Sequence, residues 1–118
     1  MIHHIALRTR DVAALTLFYR SLFALTAVRE QPEYSVWLSL ETAVLMIEQR
    51  AEGEPDVARG SMDLIAFAVT REGRERVRET LREMGVSVEG ETAYTTYFRD
   101  PDGRRVGVST YVFDTPRG

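Results

Sequence analysis

An internal repeat with an offset of 60 residues runs through this chain and limits its possible folds more than any other pattern. The run His4-Ile5-Ala6-Leu7, which precedes one helical stretch, is similar to Leu64-Ile65-Ala66-Phe67, which precedes another. Residues 35–48 are likewise similar to residues 95–107, since both contain two β-rich runs joined by a turn. A repeat at a fixed offset indicates that one supersecondary unit is used twice. Each half reads strand, helix, strand, strand, strand, so the sequence predicts an α+β fold of two βαβββ repeats.

The hydrophobic periodicity of the first half predicts its strands and its helix. Residues 2–9 alternate between apolar and polar and predict a strand. An apolar stripe at helical spacing then predicts a helix over about 11–23. A strand near 25–30 follows, and the runs 34–40 and 43–50 are expected to pair as a hairpin.

The second half repeats this order, with a strand over 63–69 and a helix over about 71–84 that Gly85 is placed to end. Most positions of this helix are charged. We expect a solvated, ion-paired surface from Arg74, Glu75, Arg76, Arg78, Glu79, Arg82 and Glu83. The run Asp100-Pro101-Asp102-Gly103 predicts a tight turn, and its carboxylates are interpreted as structural rather than catalytic.

The length of 118 residues fits one domain. Within residues 1–118 the first repeat is expected to cover about 1–50 and the second about 62–112, followed by a short C-terminal tail. Residues 51–61 have no periodicity and are interpreted as the linker between the repeats.

Composition excludes several kinds of chemistry. The chain has no cysteine, so it has no disulfide, no thiolate metal ligand and no cysteine nucleophile. All 15 of its basic residues are arginine, so lysine Schiff-base chemistry is absent. A net charge of −3 without a basic stripe argues against nucleic acid as a partner. No apolar run approaches the roughly 20 residues that span a bilayer. We therefore expect no membrane partner, no secretory leader and a cytoplasmic location.

Strand alternation assigns side chains to faces. Ile5 and Leu7 share one face of the first strand and are expected to pack under the helix, whereas His4 lies on the opposite face. The same rule places Glu48 on the face of His4. An imidazole and a carboxylate on a common face predict half of a divalent-metal site. The alternative is that His4 is only hydrogen-bonded and that Glu48 lies at the rim.

The same residues carry a family resemblance that covers nearly the whole chain. The chain opens with His4-Ile5-Ala6-Leu7-Arg8-Thr9-Arg10-Asp11, followed by Phe18-Tyr19 and Leu22, and it later contains Tyr97-Phe98-Arg99-Asp100-Pro101-Asp102-Gly103. This order of motifs resembles the vicinal-oxygen-chelate superfamily, the group of glyoxalases, fosfomycin-resistance proteins, bleomycin-resistance proteins and extradiol dioxygenases. The resemblance implies curved mixed sheets that line a cleft, with the helices on their convex side.

The resemblance also implies where metal ligands would lie. The superfamily usually takes them from the first and last strand of each repeat. By position they fall on His4 and Glu48 in the first repeat, and on Leu64 and Gly107 in the second. Leucine has no donor atom and glycine has no side chain, so half of the site is missing. We therefore expect no cofactor; the alternative is a weakly held divalent ion, either Zn, Ni, Fe or Mn.

Three functions stay open at this point. The first is metal-independent binding of a small organic molecule in the cleft, with the ligand-binding candidates Arg8, Trp37, Met46 and Tyr97. The two aromatic candidates have core packing as their alternative role. The second is a metal-dependent lyase, isomerase or dioxygenase, with His4 and Glu48 as its metal-binding and catalytic candidates. The third is a structural or regulatory partner domain. The partners expected are a small-molecule ligand and a second copy of the chain in a homodimer.

Overall fold

The structure, a computed structural model, describes residues 1–113. The chain divides into two compact units. The first contains residues 1–59 together with 100–103, and the second contains residues 60–99 together with the segment that begins at Arg104. Each unit has one helix and one four-stranded mixed sheet, in the chain order strand, helix, strand, strand, strand. The predicted α+β class with two βαβββ repeats is therefore confirmed.

The first unit follows the predicted order closely. Its elements are β1 (His4–Thr9), α1 (Val12–Phe23), β2 (Ala27–Gln31), β3 (Ser35–Ser39) and β4 (Val44–Gln49). The strands lie in the order β1-β4-β3-β2; β1 runs parallel to β4, and the other neighbours are antiparallel. The helix begins after Asp11, whose side chain accepts a hydrogen bond from the Ala14 backbone N–H, as expected of an N-cap.

The core of the first unit lies between α1 and its sheet. Leu15 and Tyr19 on the helix are fully buried, as are Leu45 and Ile47 on β4. Leu7 on β1 is also buried. Burying an apolar side chain of this size stabilises the fold by roughly 1.5–3 kcal/mol. The face assigned to the core by alternation is thus the face that packs against the helix.

The second unit has the same plan. Its elements are β5 (Leu64–Ala68), α2 (Arg71–Glu83), β6 (Gly90–Glu91), β7 (Thr95–Arg99) and β8 (Arg105–Ser109), and its strand order is β5-β8-β7-β6. Thr70 caps α2 by accepting a hydrogen bond from the Gly73 N–H. The helix stops before Gly85, whose φ of +71° suits a residue without Cβ. No helix within residues 1–113 is long and apolar enough to cross a membrane.

Arg74 does not lie on the solvated surface of α2, and this part of the prediction is wrong. Its side chain is buried and donates hydrogen bonds, each 2.9 Å long, to one side-chain hydroxyl, two backbone carbonyls and one carboxylate: Thr96 Oγ1, Thr92 O, Ala93 O and Glu91 Oε2. Position 74 is three residues before the buried Val77, so both share the inner face of the helix. The remaining surface is ion-paired as predicted where Arg78 meets Glu75.

The turn between β7 and β8 belongs to the first unit. Tyr19 donates its phenolic proton to Asp100 Oδ2 at 2.7 Å, and Thr9 donates to Asp102 Oδ1 at 3.2 Å. The Gly103 N–H closes the turn on the Asp100 carbonyl at 2.9 Å, with a φ of +89° at the glycine. Both carboxylates therefore have structural partners, which agrees with the interpretation of this run as a turn.

Candidate functional site

Each sheet has a face opposite its helix, which we call its open face. On the first sheet, side chains of neighbouring strands stand in register and form three rows across this face. The upper row is His4, Val44 and Ser39; the middle row is Ala6, Met46, Trp37 and Arg29; the lower row is Arg8, Glu48, Ser35 and Gln31.

His4 and Glu48 share this open face, as alternation predicted, but they lie in different rows. His4 is the register partner of Val44, and Glu48 is the register partner of Arg8. Because β1 and β4 are parallel, the two residues are displaced by four positions along the strands (48 − 44), about 13 Å at 3.3 Å per residue. One ion would need donor atoms from both at about 2.0–2.2 Å. The structure therefore does not bring them together as a two-ligand site.

The strand register also corrects which residue of the first repeat corresponds to Gly107 of the second. Ala6 pairs with Met46 in the first sheet, and Ala66, which follows Ala6 by the repeat offset of 60, pairs with Gly107 in the second. The first-repeat counterpart of Gly107 is therefore Met46 and not Glu48. Sequence spacing could not separate these two because both lie on the same face of β4.

The donor set at the four corrected positions does not fit a metal centre. His4 supplies one imidazole, Met46 supplies a soft thioether, and Leu64 and Gly107 supply nothing. A Cβ on Gly107 would lie only 3.4 Å from Leu64 Cδ1 and 3.3 Å from Thr95 Cγ2, so aliphatic groups already fill the space beside it. Within residues 1–113, no three histidine, cysteine, aspartate or glutamate side chains are grouped where they would hold an ion.

The imidazole of His4 instead has a histidine as its neighbour. His4 Nδ1 lies 2.8 Å from His3 Nδ1, and the two rings meet edge to face with centroids 5.1 Å apart. Both side chains are exposed. Because His3 precedes β1, strand alternation does not apply to it, and its proximity to His4 was not predicted.

Arg8, a ligand-binding candidate, is held by carboxylates of its own unit. Its Nε and Nη2 atoms donate to the Glu54 carboxylate at 3.2 and 2.8 Å, and Nη1 lies 3.8 Å from Glu48. The hydrogen bonds from Arg8 and from the Ala51 backbone N–H lower the pKa of Glu54 to about 2. The hydrogen bond to Glu54 in turn raises the pKa of Arg8. Two carboxylates therefore compensate the charge of this guanidinium.

The candidates Trp37 and Met46 are half-buried register partners on the first open face. The guanidinium carbon of Arg29 lies 5.0 Å from the Trp37 ring centroid, within the range of a cation–π contact. The indole Nε1 is buried and finds no hydrogen-bond partner among the described residues. Trp37 is thus covered on one ring face by a cation from the neighbouring strand.

Tyr97, the remaining candidate, lines a cavity of about 440 Å³ in the second unit. Small side chains of β5 line one part of it, Ala66 and Ala68. Five aromatic residues also line it: Phe67, Tyr94, Tyr97, Tyr111 and Phe113. The lining is completed by Leu64, Thr95 and Ser109. We call this cavity the aromatic pocket.

Three rings of the aromatic pocket contact one another in sequence: Tyr94, Tyr111 and Phe113. The Tyr94 and Tyr111 centroids lie 5.1 Å apart at 75°, and the Tyr111 and Phe113 centroids lie 5.2 Å apart at 74°. Such edge-to-face pairs are a favoured arrangement of aromatic side chains. On Tyr97, the guanidinium carbon of Arg105 lies 4.1 Å from the ring centroid. The pocket is therefore a mostly apolar cavity in which three of the aromatic rings pack edge to face.

A family model described as the Glyoxalase/Bleomycin resistance protein/Dioxygenase superfamily matches residues 1–108. The chain belongs to this superfamily. The resemblance seen in its sequence motifs is therefore confirmed. A curated relative, Virulence protein STM3117 of Salmonella typhimurium, is 29% identical over 123 residues, which is 94% of this chain and 84% of the relative.

Solved structures of superfamily members have the same fold. The fosfomycin resistance protein FosX from Listeria monocytogenes matches with a TM-score of 0.80 at 17% identity, covering 94% of this chain and 90% of that one. A lactoylglutathione lyase from Agrobacterium tumefaciens matches with a TM-score of 0.70 at 22% identity, covering 92% of both chains. At these identities the likeness shows the fold alone. A variant of the Listeria FosX was crystallised with Mn(II), so the superfamily includes proteins that bind a metal.

Of the five aromatic residues in the pocket, the sequence predicted Tyr97 as a ligand-binding residue but not Phe67, Tyr94, Tyr111 or Phe113. A signal for two of them was available. Tyr111 and Phe113 continue the two-residue spacing of Ser109 beyond the end of β8, so they have the parity of the open face. Tyr94 lies just before β7 and has the parity of the buried Thr96 and Phe98, so alternation would place it on the opposite face. Its place in the pocket is seen only in the structure, where its ring contacts Tyr111.

Proposed function

We propose that this superfamily member binds a small organic molecule in the aromatic pocket of its second unit, without a metal ion. The observation that carries the proposal is the cavity of about 440 Å³ with five aromatic residues and two alanines in its lining. Small-molecule sites are typically cavities of about 300–1,000 Å³, mostly apolar and aromatic, with a few polar groups that orient the ligand. The aromatic pocket matches this description in size and in chemistry.

The donor set supports binding over metal-dependent catalysis. An extradiol dioxygenase needs two histidines and a carboxylate around one iron, and catalytic zinc generally keeps three protein ligands. At the corrected positions His4 is the single nitrogen donor, and Met46, which pairs with Ala6 rather than with His4, supplies only a thioether. The lyase, isomerase or dioxygenase alternative therefore has no observation that favours it.

The proposal predicts that filling the floor of the pocket weakens binding. Ala66→Leu replaces a methyl group by an isobutyl group at an exposed position of the pocket lining. We expect it to raise the Kd for phenylnaphthylamine, an uncharged fluorescent probe, by about tenfold, because overfilling costs on the order of 1–3 kcal/mol. The measurement is a fluorescence titration, repeated with EDTA and with Mn(II). The Kd should be the same in both.

The matched control is Ala6→Leu, which makes the same change at the equivalent exposed position of the first sheet. It should leave the Kd unchanged, and thermal unfolding should show that both variants are folded. The proposal is wrong if the parent shows no saturable binding of the probe. Equal weakening by both variants would also contradict it.

A further inference from the structure

We infer that the aromatic pocket selects an uncharged, flat aromatic molecule that carries a hydrogen-bond acceptor, such as a carbonyl oxygen, at its edge. The inference rests on the proposed function, since it names the ligand class of the same pocket. Three properties of the described lining carry it: the absence of charge, the exposed ring surface and an unused hydroxyl proton on the pair Thr95 and Ser109.

No charged side chain lines the pocket among the described residues. Arg105 of β8 stacks on Tyr97 and donates to the Glu89 carboxylate at 3.2 Å. Glu89 also accepts hydrogen bonds from Arg99, which lower the pKa of Glu89 and keep it anionic. The cations of this sheet are thus already paired. A charged ligand would lose its hydration in the pocket without gaining a partner, so the lining favours an uncharged one.

The ring surface favours a flat ligand. Tyr111 is 50% exposed and Phe113 is 75% exposed, although both lie against other rings. Edge-to-face packing leaves one face of a ring available for stacking. The alanines at positions 66 and 68 do not project far from β5, so a planar molecule can lie against the strand and meet these rings.

The hydroxyl pair of Thr95 and Ser109 favours an acceptor on the ligand. Their oxygens are 2.9 Å apart, and the Tyr111 backbone N–H donates to Ser109 Oγ at 3.2 Å. Each hydroxyl has one proton to donate and two lone pairs. The bond between the two hydroxyls uses one proton, whichever side donates it. The other proton has no acceptor among the described residues, so the pair offers one O–H group to a ligand.

Three probes of nearly equal shape test the ligand class: acetylnaphthalene, ethylnaphthalene and naphthoate, each substituted at the same ring carbon. Displacement of phenylnaphthylamine gives their Kd values at neutral pH. We expect the ketone to bind about fivefold more tightly than the ethyl compound, because it accepts the hydroxyl proton. We expect the anionic naphthoate to bind at least about tenfold more weakly than the ketone.

The double variant Thr95→Val/Ser109→Ala removes both hydroxyls. It should abolish the preference for the ketone over the ethyl compound while changing the Kd of the ethyl compound by less than about twofold. Each single variant keeps one O–H group and should keep the preference. Ser35→Ala, on the open face of the first sheet, is the matched control and should change none of the three affinities.

The outcomes separate this inference from the proposed function. If naphthoate binds as tightly as the ketone while Ala66→Leu weakens both, the ligand class is wrong and the pocket still binds small molecules. If the double variant keeps the ketone preference, the hydroxyl pair is not the donor and the inference is wrong about the hydrogen bond.

If the parent binds phenylnaphthylamine and none of the three compounds displaces it, the ligand class is overturned. If even phenylnaphthylamine does not bind, the proposed function fails as well. Should the double variant not fold, the order of the three affinities on the parent decides.

Discussion

At the scale of single residues, Arg74 ties α2 to the loop between β6 and β7. Its guanidinium donates to the carbonyls of Thr92 and Ala93 and to the Thr96 hydroxyl, while only 8% of the residue is exposed. Arg74→Met keeps most of the side-chain volume but leaves these acceptors without a donor. We expect the free energy of unfolding to fall by about 2–4 kcal/mol. Denaturant unfolding followed by circular dichroism measures it.

The control for this prediction is Arg76→Met, which removes an exposed arginine from the same helix. It should change the free energy of unfolding by less than about 0.5 kcal/mol. Similar values for the two variants would show that the hydrogen bonds of Arg74 contribute nothing beyond its surface charge.

Sequence patterns could show which face of a strand or helix a residue lies on. They could not show the register between strands or the contacts between residues far apart in the chain. Glu48 and Met46 have the same parity, and only the pairing of Ala6 with Met46 shows which one is the counterpart of Gly107. Arginine is rarely buried, so its residue type favoured an exposed Arg74 even though helical spacing places it on the same face as Val77. Its burial depends on acceptors that lie about 20 residues further along the chain.

At the scale of elements, ion pairs hold the predicted linker against β1. Glu54 accepts two hydrogen bonds from Arg8, and Asp56 pairs with Arg10 at 3.2 Å and with Arg50. The pKa of Glu54 is about 2 in the folded protein, below its ordinary value of 4.5. A lowered pKa means that the ionised form stabilises the fold. This stabilisation is complete above about pH 4.5 and is lost as the pH falls through about 2.

We therefore expect Glu54→Gln to flatten the dependence of unfolding free energy on pH between about 4.5 and 2. In the parent, the carboxyl carbon resonance of Glu54 should titrate near pH 2. Glu52→Gln changes an exposed neighbour in the same linker and should leave the pH dependence as it is. A Glu54 resonance that titrates near 4.5 would contradict the pairing with Arg8.

Most elements could be predicted because each has a local signal. Asp11 caps α1, alternation marks β1 and β4, and Gly85 ends α2. The strand β6 is only two residues long, Gly90–Glu91, which is too short for alternation to place it. The turn from 100 to 103 was predicted from proline and glycine, but not its hydrogen bonds to the first repeat.

At the scale of the whole molecule, the repeat fixed the fold class and left the site open. Both repeats share one strand order, so the internal similarity was enough to predict the architecture. The candidate site lies in one repeat only. Its identity depends on the chain after β8, where Tyr111 and Phe113 have no counterpart in the repeated pattern. The repeat predicts the strand order that the two halves share, whereas the pocket depends on residues after β8 that have no counterpart in the first half.

An apolar surface of the first unit bears on the assembly of the molecule. Leu17 and Tyr34 are each 68% exposed. They line two neighbouring depressions that have Pro32 in common, one of about 340 Å³ and one of about 470 Å³. Arg20 and Glu30, which lie 3.6 Å apart, supply one charge of each sign to the same surface. Exposed apolar patches commonly mark interaction sites.

We propose that two copies of the chain associate through this surface as a homodimer. A twofold axis brings the same patch of both copies together, and a patch with one arginine and one glutamate can pair each charge with its opposite on the other copy. Leu17→Glu places a carboxylate where the apolar surfaces would meet, so it should convert the dimer to a monomer. Val88→Glu changes an exposed valine of the second unit and is the control. Sedimentation velocity at micromolar concentration distinguishes the monomer from the dimer. A parent that sediments as a monomer contradicts the homodimer. A Leu17→Glu variant that stays dimeric would show that the interface lies on another surface.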